Sequence, residues 1–354
     1  MDCHRHPPVI FRITSLARNL LQPSLDNHGP GTLGPVVKGV GPVLKHCVLT
    51  RRSALTAAAL AAPALIGRAR ADDMTKIKIG SAFTTTTNAA FLMPKYLKAD
   101  GVEAELVLFP SLVQRMQAVA SGDVQVGNGG LSATIQIDVK GFPMTVLANG
   151  CEGGWSMIAK PDITSFEQLR GKKIAVQNGS IGLASLLWKL RSEGLDGSCD
   201  IVFLDNDKQP IPLYRGDVDA IVPFEPYATF ALVNGWGRKL WTPYDTPMGR
   251  TNLGFVAATD FVQKHPELTR KIVSAHVRAT QELLDHPDIA LETTMKQFNM
   301  PRNIAEPSNQ NLFFTTDSGS KFQDGLHALA KMMIDSKMLE REPDWGRFIN
   351  TSFL

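Results

Sequence analysis

Apolar and polar positions change period along this chain. From Lys76 onward, short β-branched runs alternate with stretches in which apolar residues recur every three or four positions. Lys76-Ile77-Lys78-Ile79-Gly80 alternates as a half-buried strand does, and residues 88–99 continue with Phe91, Leu92, Tyr96 and Leu97 on a helical spacing. Residues 105–109 predict a second strand. Ser111 stands where an N-cap belongs, ahead of a helix over 112–120 whose Leu112, Met116 and Val119 or Ala120 share one face. Strands are expected at 124–127 and 144–147. A similar scheme restarts at 173–176, with a Gly179-Ser180 turn, a helix over 182–193, and strands at 201–204, 220–222 and 239–241. After residues 252–257 the pattern becomes purely helical, over 266–285, 289–298 and 321–336. Alternating strands and helices imply parallel strands joined by crossover helices, so the class is α/β, with two such units and a helical tail. There is no repeat of 20 to 50 residues and no low-complexity linker between the units. The crossings must be short; Gly153-Trp155-Ile158 and Asn252–Val256 are placed to act as hinges.

The first 75 residues read differently. Thr50-Arg51-Arg52-Ser53 opens an Ala-rich apolar run through Ile66, after which comes Ala69-Arg70-Ala71. Paired arginines, an apolar run too short to span a bilayer, and an Ala-x-Ala site describe an export signal over 50–71, twin-arginine in type, with cleavage near Ala71. Residues 1–49, rich in Pro, Gly and His, carry no sustained period. They are expected to be an unstructured leader or the product of a start codon set too far upstream.

Charge supports the division. The chain of 354 residues has a formal charge of +3, but residues 1–71 hold nine of the 37 Lys and Arg and two of the 34 Asp and Glu. Residues 72–354 therefore have 28 basic against 32 acidic side chains, so the part expected to fold has no electrostatic footprint for nucleic acid. Of four cysteines, only Cys151 and Cys199 lie beyond the signal; spacing fixes no pairing between them, and two separate thiols are the alternative to a bridge. The four histidines of this part, His265, His276, His286 and His327, fall in the helical tail without the spacing of a zinc pair. Walker A, nucleophile-elbow and strand-linked dinucleotide motifs are missing, so no catalytic residue, metal site or cofactor is read.

Three segments carry a resemblance. Ser121-Gly122-Asp123-Val124-Gln125-Val126-Gly127 is similar to a turn that closes a second helix and opens a third strand. Leu169-Arg170-Gly171-Lys172-Lys173-Ile174-Ala175-Val176 leads to Gly179-Ser180, and Gly216-Asp217-Val218-Asp219-Ala220-Ile221 runs into Glu225-Pro226-Tyr227. In this order, and with Asp260-Phe261-Val262 and His265-Pro266-Glu267 behind them, they resemble the type II periplasmic binding proteins of the nitrate, sulfonate and taurine group, which includes thiamine-precursor binders. The resemblance covers Lys76 to about the C-terminus. It implies a two-lobed fold, each lobe a mostly parallel sheet flanked by helices, with a hinge between them: 76–153 with 250–354 as the first lobe and its C-terminal helices, 154–249 as the second. It implies a monomer in the periplasm that captures a small-molecule solute by hinge closure and delivers it to a membrane permease and its ATPase. A partner that is a membrane sensor, or a pyrimidine-synthase-like enzyme, are the alternatives; the latter carries a cysteine-rich motif that this chain lacks. Thr84-Thr85-Thr86-Thr87 departs from the family, which has a Gly-rich loop there.

Ligands of open α/β sheets settle beyond the C-terminal ends of strands, where loops and helix N-termini converge. Thr84, Thr85 and Thr86 come after the first strand, Ser111 after the second, Asn128 and Gly129 after the third, and Gly179 and Ser180 begin the second unit's first helix. Each also reads as an ordinary cap or turn. Trp155 at a hinge can stack on a flat ligand or pack the hinge, and Glu225 can accept from a ligand or favour a helix N-terminus. Arg115, Lys160 and Arg250 are the basic residues near these loops; Arg115 can face the cleft or snorkel. Sulfonates, nitrate, bicarbonate, pyrimidines and aromatic acids all fit such a set.

Overall fold

The computed structural model describes residues 76–354; the expected leader and export signal fall outside the described residues. Strands number β1 to β11 and helices α1 to α12 along the chain. A six-stranded sheet contains β1 (Lys76–Ala82), β2 (Glu103–Phe109), β3 (Val126–Gly130), β4 (Met144–Gly153), β10 (Leu253–Ala258) and β11 (Leu312–Phe314), in the order β11-β4-β10-β3-β1-β2. A five-stranded sheet contains β5 (Met157–Ala159), β6 (Lys173–Val176), β7 (Asp200–Phe203), β8 (Ala220–Val222) and β9 (Arg238–Trp241), in the order β7-β6-β8-β5-β9. β1 runs parallel to β2 and β3, and β6 parallel to β7 and β8, while β10 and β5 run antiparallel to both of their neighbours. Each sheet is thus a parallel set into which one reversed strand is inserted, and β11 adds a reversed edge beside β4.

Local chemistry explains the elements that frame the cleft. In α2 (Leu112–Ser121) the Ser111 hydroxyl accepts from the Gln114 N–H at 3.4 Å, and Gly122, at φ 84°, ends the helix where only glycine is unstrained. Its Leu112, Met116 and Val119 are buried against the sheet. In α4 (Ile181–Ser192) Ser180 accepts from the Leu183 N–H at 3.1 Å. On the other face of the large sheet, α1 (Asn88–Ala99) and α8 (Pro266–Asp285) bury Ala90, Met93, Leu97, Ile272, Val273 and Ala279 over Ile77, Ile79 and Phe255. α3 (Leu131–Val139) continues from β3 without a break and is buried along nearly its whole length, so it has little amphipathic period to betray it in the sequence.

The remaining helices are α5 (Pro210–Arg215), α6 (Tyr227–Val233), α7 (Thr259–Lys264), α9 (Pro287–Gln297), α10 (Arg302–Asn309), α11 (Ser320–Asp335) and α12 (Trp345–Phe348). The tail is not purely helical, since β11 interrupts it. Nor does it stay on one sheet: α10 contacts α6 and α11 contacts α4, so the C-terminal helices span both lobes. α12 is tied down by Arg347, which pairs at 2.7 Å with the buried carboxylate of Asp138. The second crossing lies between β9 and β10, and the expected hinge at Asn252–Val256 is mostly strand β10, held between β3 and β4. Cys151 and Cys199 are both free thiols. Cys151 sits within β4, where burial pushes its thiol up to about 12, and Cys199 donates to the Leu169 carbonyl at 3.2 Å.

Candidate functional site

A cleft opens where the C-terminal ends of β1, β2 and β3 meet the start of α4. Its walls come from both lobes: Thr84, Thr86, Leu112 and Arg115 on one side, Gln177, Ser180, Asn206, Asp207 and Phe224 on the other. The atom-free space, mouth included, is about 530 Å³. The N-termini of α2 and α4 both contribute lining residues, so two sets of helix-start N–H groups and two positive dipole ends converge there.

Arg115 dominates the electrostatics. It is 4% exposed, forms no ion pair among the described residues, and its Nε has no hydrogen-bond partner there. Burial alone lowers its guanidinium to about 10, so it stays charged at neutral pH. The approach of its stem depends on Gly80: a Cβ at that position would lie 3.3 Å from the Arg115 Cγ. A buried cation without a carboxylate is costly, and an oxyanion entering the cleft would supply the missing partner. Arg115 therefore faces the cleft and does not snorkel. Lys160 is held by Asp219 at 2.7 Å, and the Arg250 guanidinium lies over the Phe313 ring at 4.0 Å; neither lines the cleft.

The opposite wall is a polar network. The Asn206 amide donates to Gln177 Oε1 at 3.1 Å and its Oδ1 accepts from the Phe224 N–H at 3.2 Å. Gln177 in turn donates to Asp205 at 3.3 Å. Asn252, also on the wall, donates to the Gly153 carbonyl at 2.5 Å, which fixes it beside the first crossing. None of these polar residues stands out in the sequence as a ligand contact, although Asn252 opens an expected hinge, because each acquires its position from a strand pairing that is remote along the chain.

The structure distributes the sequence-derived candidates unevenly. Thr84, Thr86 and Ser180 lie on the wall, the two threonine hydroxyls 3.0 Å apart. Ser180 is fully buried; its hydroxyl donates to the Gln177 carbonyl at 2.7 Å while capping α4, so both of its functions are already used. Thr85 is not among the wall residues; its N–H donates to the Glu225 carbonyl at 3.0 Å, and its buried hydroxyl has no hydrogen-bond partner among the described residues. Ser111 caps α2 without lining the cleft. Asn128 and Gly129 belong to β3 and not to a loop beyond it. Asn128 lies opposite Phe255, and a Cβ on Gly129 would sit 2.7 Å from Val256 and 2.8 Å from the Thr134 hydroxyl. Trp155 is 1% exposed between Phe224 and Tyr244, with ring centroids at 5.8 and 5.4 Å, and so packs the hinge. Gly179, at φ 70°, accepts from the Ser132 hydroxyl at 2.7 Å and closes the two lobes together outside the cleft. Glu225 caps α6 through the Thr229 N–H at 3.0 Å and does not reach the cleft.

Known proteins place this geometry in a family. Over 220 residues the chain is 29% identical to the taurine-binding periplasmic protein of Escherichia coli (strain K12), a match spanning 60% of this chain and 65% of that protein. The alkanesulfonate-binding protein of Xanthomonas axonopodis pv. citri, solved bound to MOPS, has a TM-score of 0.69 at 16% identity, covering 78% of this chain and 98% of its own. The periplasmic nitrate-binding protein of Synechocystis PCC 6803 gives 0.67 at 13% identity, covering 79% and 87%. At these identities the two structures show the fold, that of type II periplasmic binding proteins. The family model described as NMT1/THI5 like matches residues 94–290, more than half of the 354. The chain belongs to the NMT1/THI5-like family.

Proposed function

We propose that this protein is the periplasmic solute-binding component of an ABC importer, and that its solute is a small organic oxyanion of the sulfonate class. One observation carries the reading: a buried, unpaired guanidinium at a two-walled cleft into which two helix N-termini open. A sulfonate offers three oxygens, enough for the Arg115 fork and for helix-start N–H groups together. Asp207, on the facing wall and paired at 2.8 Å with the exposed Lys208, would exchange that partner for an ammonium group carried on the solute's other end, which favours an amino-sulfonate such as taurine over a plain alkanesulfonate. The names of the similar proteins support the same class. The solute enters between the lobes, gains contacts from both as they close, and shifts the population towards the closed form that a permease and its ATPase receive. Binding, not conversion, is the role, and the protein acts as a monomer exported by the signal at 50–71.

The test is a thermal-shift series with taurine, ethanesulfonate, nitrate and a neutral aminopyrimidine. A ligand at 100 times its Kd stabilises by about 2.7 kcal/mol. Stabilisation by the sulfonates, greatest for taurine, is expected. Stabilisation by the pyrimidine alone would overturn the reading.

A further inference from the structure

Glu225, outside the cleft, bonds to the first crossing, to α6 and to two segments of the first lobe. Its backbone N–H donates to the carbonyl of Gly154, in the first crossing, at 2.8 Å, and its carbonyl accepts from Thr85 of the first lobe at 3.0 Å. Its carboxylate accepts from the Thr229 N–H of α6 through one oxygen and, at 2.7 Å, from the Asn311 amide just ahead of β11 through the other. Asn311 belongs to the segment that adds the reversed edge to the large sheet, so this last bond links the two lobes through side chains. The neighbours of these partners form the cleft wall. Thr84 and Thr86 flank Thr85, and Phe224 precedes Glu225; all three line the cleft. A solute that draws these walls together therefore also closes the shell around the Glu225 carboxyl, which is 1% exposed in this arrangement.

We propose that solute capture is linked to protonation of Glu225: closing the cleft encloses this carboxyl between the lobes, it takes up a proton, and binding tightens as pH falls. This rests on the binding-protein reading above. The charged and titratable groups around it are few. Lys239 of β9 is the cation that favours its ionised form, and Tyr244, in the turn after β9, is the phenol that feels its charge. α6 offers the Thr229 N–H, the segment before β11 offers the Asn311 amide, and the loop before α1 offers the Thr85 backbone. Burial outweighs these favourable partners and pushes the carboxyl up to about 7. The linkage requires that opening draw Asn311 and Thr85 away and restore water to the carboxyl, returning it towards the ordinary value of 4.5. The closed form therefore binds more protons. Its advantage is complete below the open-form value and is lost as pH rises through about 7.

The experiment is taurine titration calorimetry at about pH 5 and about pH 8, in pairs of buffers with different ionisation heats, on the native protein and on Glu225→Gln. Native protein is expected to bind at least about tenfold more tightly at the lower pH, with proton uptake on binding between the two. Glu225→Gln cannot titrate and is expected to lose both effects, which assigns the proton to this side chain and not to Asp207. Small-angle scattering of the solute-free protein at the same two pH values asks the question without a ligand: the native protein is expected to be more compact at the lower pH. If taurine does not bind but the compaction occurs and vanishes in Glu225→Gln, the solute class falls and the proton linkage stands. If taurine binds with one Kd at both pH values and no proton is taken up, or if neither taurine binding nor compaction responds to pH, the linkage is overturned. Should Glu225→Gln fail to fold, scattering of Asp207→Asn decides: compaction at the lower pH that persists without that carboxylate supports the linkage, and its loss overturns it.

Discussion

Replacing Arg115 with methionine should make the protein more stable and less able to bind. The guanidinium is buried, pairs with no carboxylate among the described residues, and is lowered by desolvation alone to about 10. At about 1.4 kcal/mol per pH unit, the fall from an ordinary arginine value amounts to roughly 3 kcal/mol that the solute-free fold bears in holding this charge out of water. Methionine keeps the unbranched stem beside Gly80, Leu112 and Val124 and removes the charge. In a domain of this size roughly 3 kcal/mol translates into about 5 to 10 °C of Tm as an upper bound. The same change removes the fork on which an oxyanion would rest. Loss of a buried, hydrogen-bonded charge pair costs about 2 to 5 kcal/mol, or about 30-fold to several thousandfold in Kd. Differential scanning calorimetry of the solute-free variant and calorimetric titration with taurine read the two halves separately. A Tm that falls by several degrees would show that Arg115 is structural. A Kd that does not change would remove it from the site.

Other changes probe the surroundings. Ser180→Ala removes a cap whose hydroxyl is satisfied on both sides within the protein; stability should drop by about 1 kcal/mol in urea titration, with taurine affinity changed by no more than about threefold. Gly325→Ala in α11 would put its Cβ 1.9 Å from the Thr251 hydroxyl beside the second crossing; a loss of about 2 to 3 kcal/mol is expected, and Thr251→Ala in the same chain should recover most of it. His276 is fully buried, stacked on Phe255 at 4.5 Å, and burial lowers its imidazole to about 4. Since the unfolded chain takes up a proton first, the stability this histidine provides is present above about 6.5 and lost as pH falls through about 4. His276→Leu should flatten that acid limb in a Tm-against-pH series; an unchanged limb would place its origin elsewhere.

The helices at 88–99, 112–121 and 266–285 were legible because each buries a single stripe, and the sequence records a stripe as a period. The caps Ser111 and Ser180 were legible for the same local reason. α3 and the insertion of β10 between β3 and β4 were not: a helix buried almost all round has no contrasting face, and a strand's partners are chosen by contacts far away in sequence. The candidate site divides along this line. Thr84, Thr86 and Ser180 could be named from their places after strands, whereas Gln177, Asn206, Asp207 and Asn252 look like ordinary loop residues until the lobes face each other. Asn128 and Glu225 had the right chemistry in the right neighbourhood, yet neither lines the cleft: Asn128 lies within β3 with its buried amide unpartnered among the described residues, and Glu225 is bonded to the start of α6.

By itself, the sequence determined the α/β class, the division into two units and the loops from which a cleft would be built, since each depends on period, composition or spacing over a few residues. Only the tertiary structure decided that Arg115 is buried without a partner at that cleft, and that Glu225 joins the lobes behind it. Burial and pairing are properties of surroundings assembled from distant segments, and the energy of a charge is set by those surroundings and not by its place in the chain.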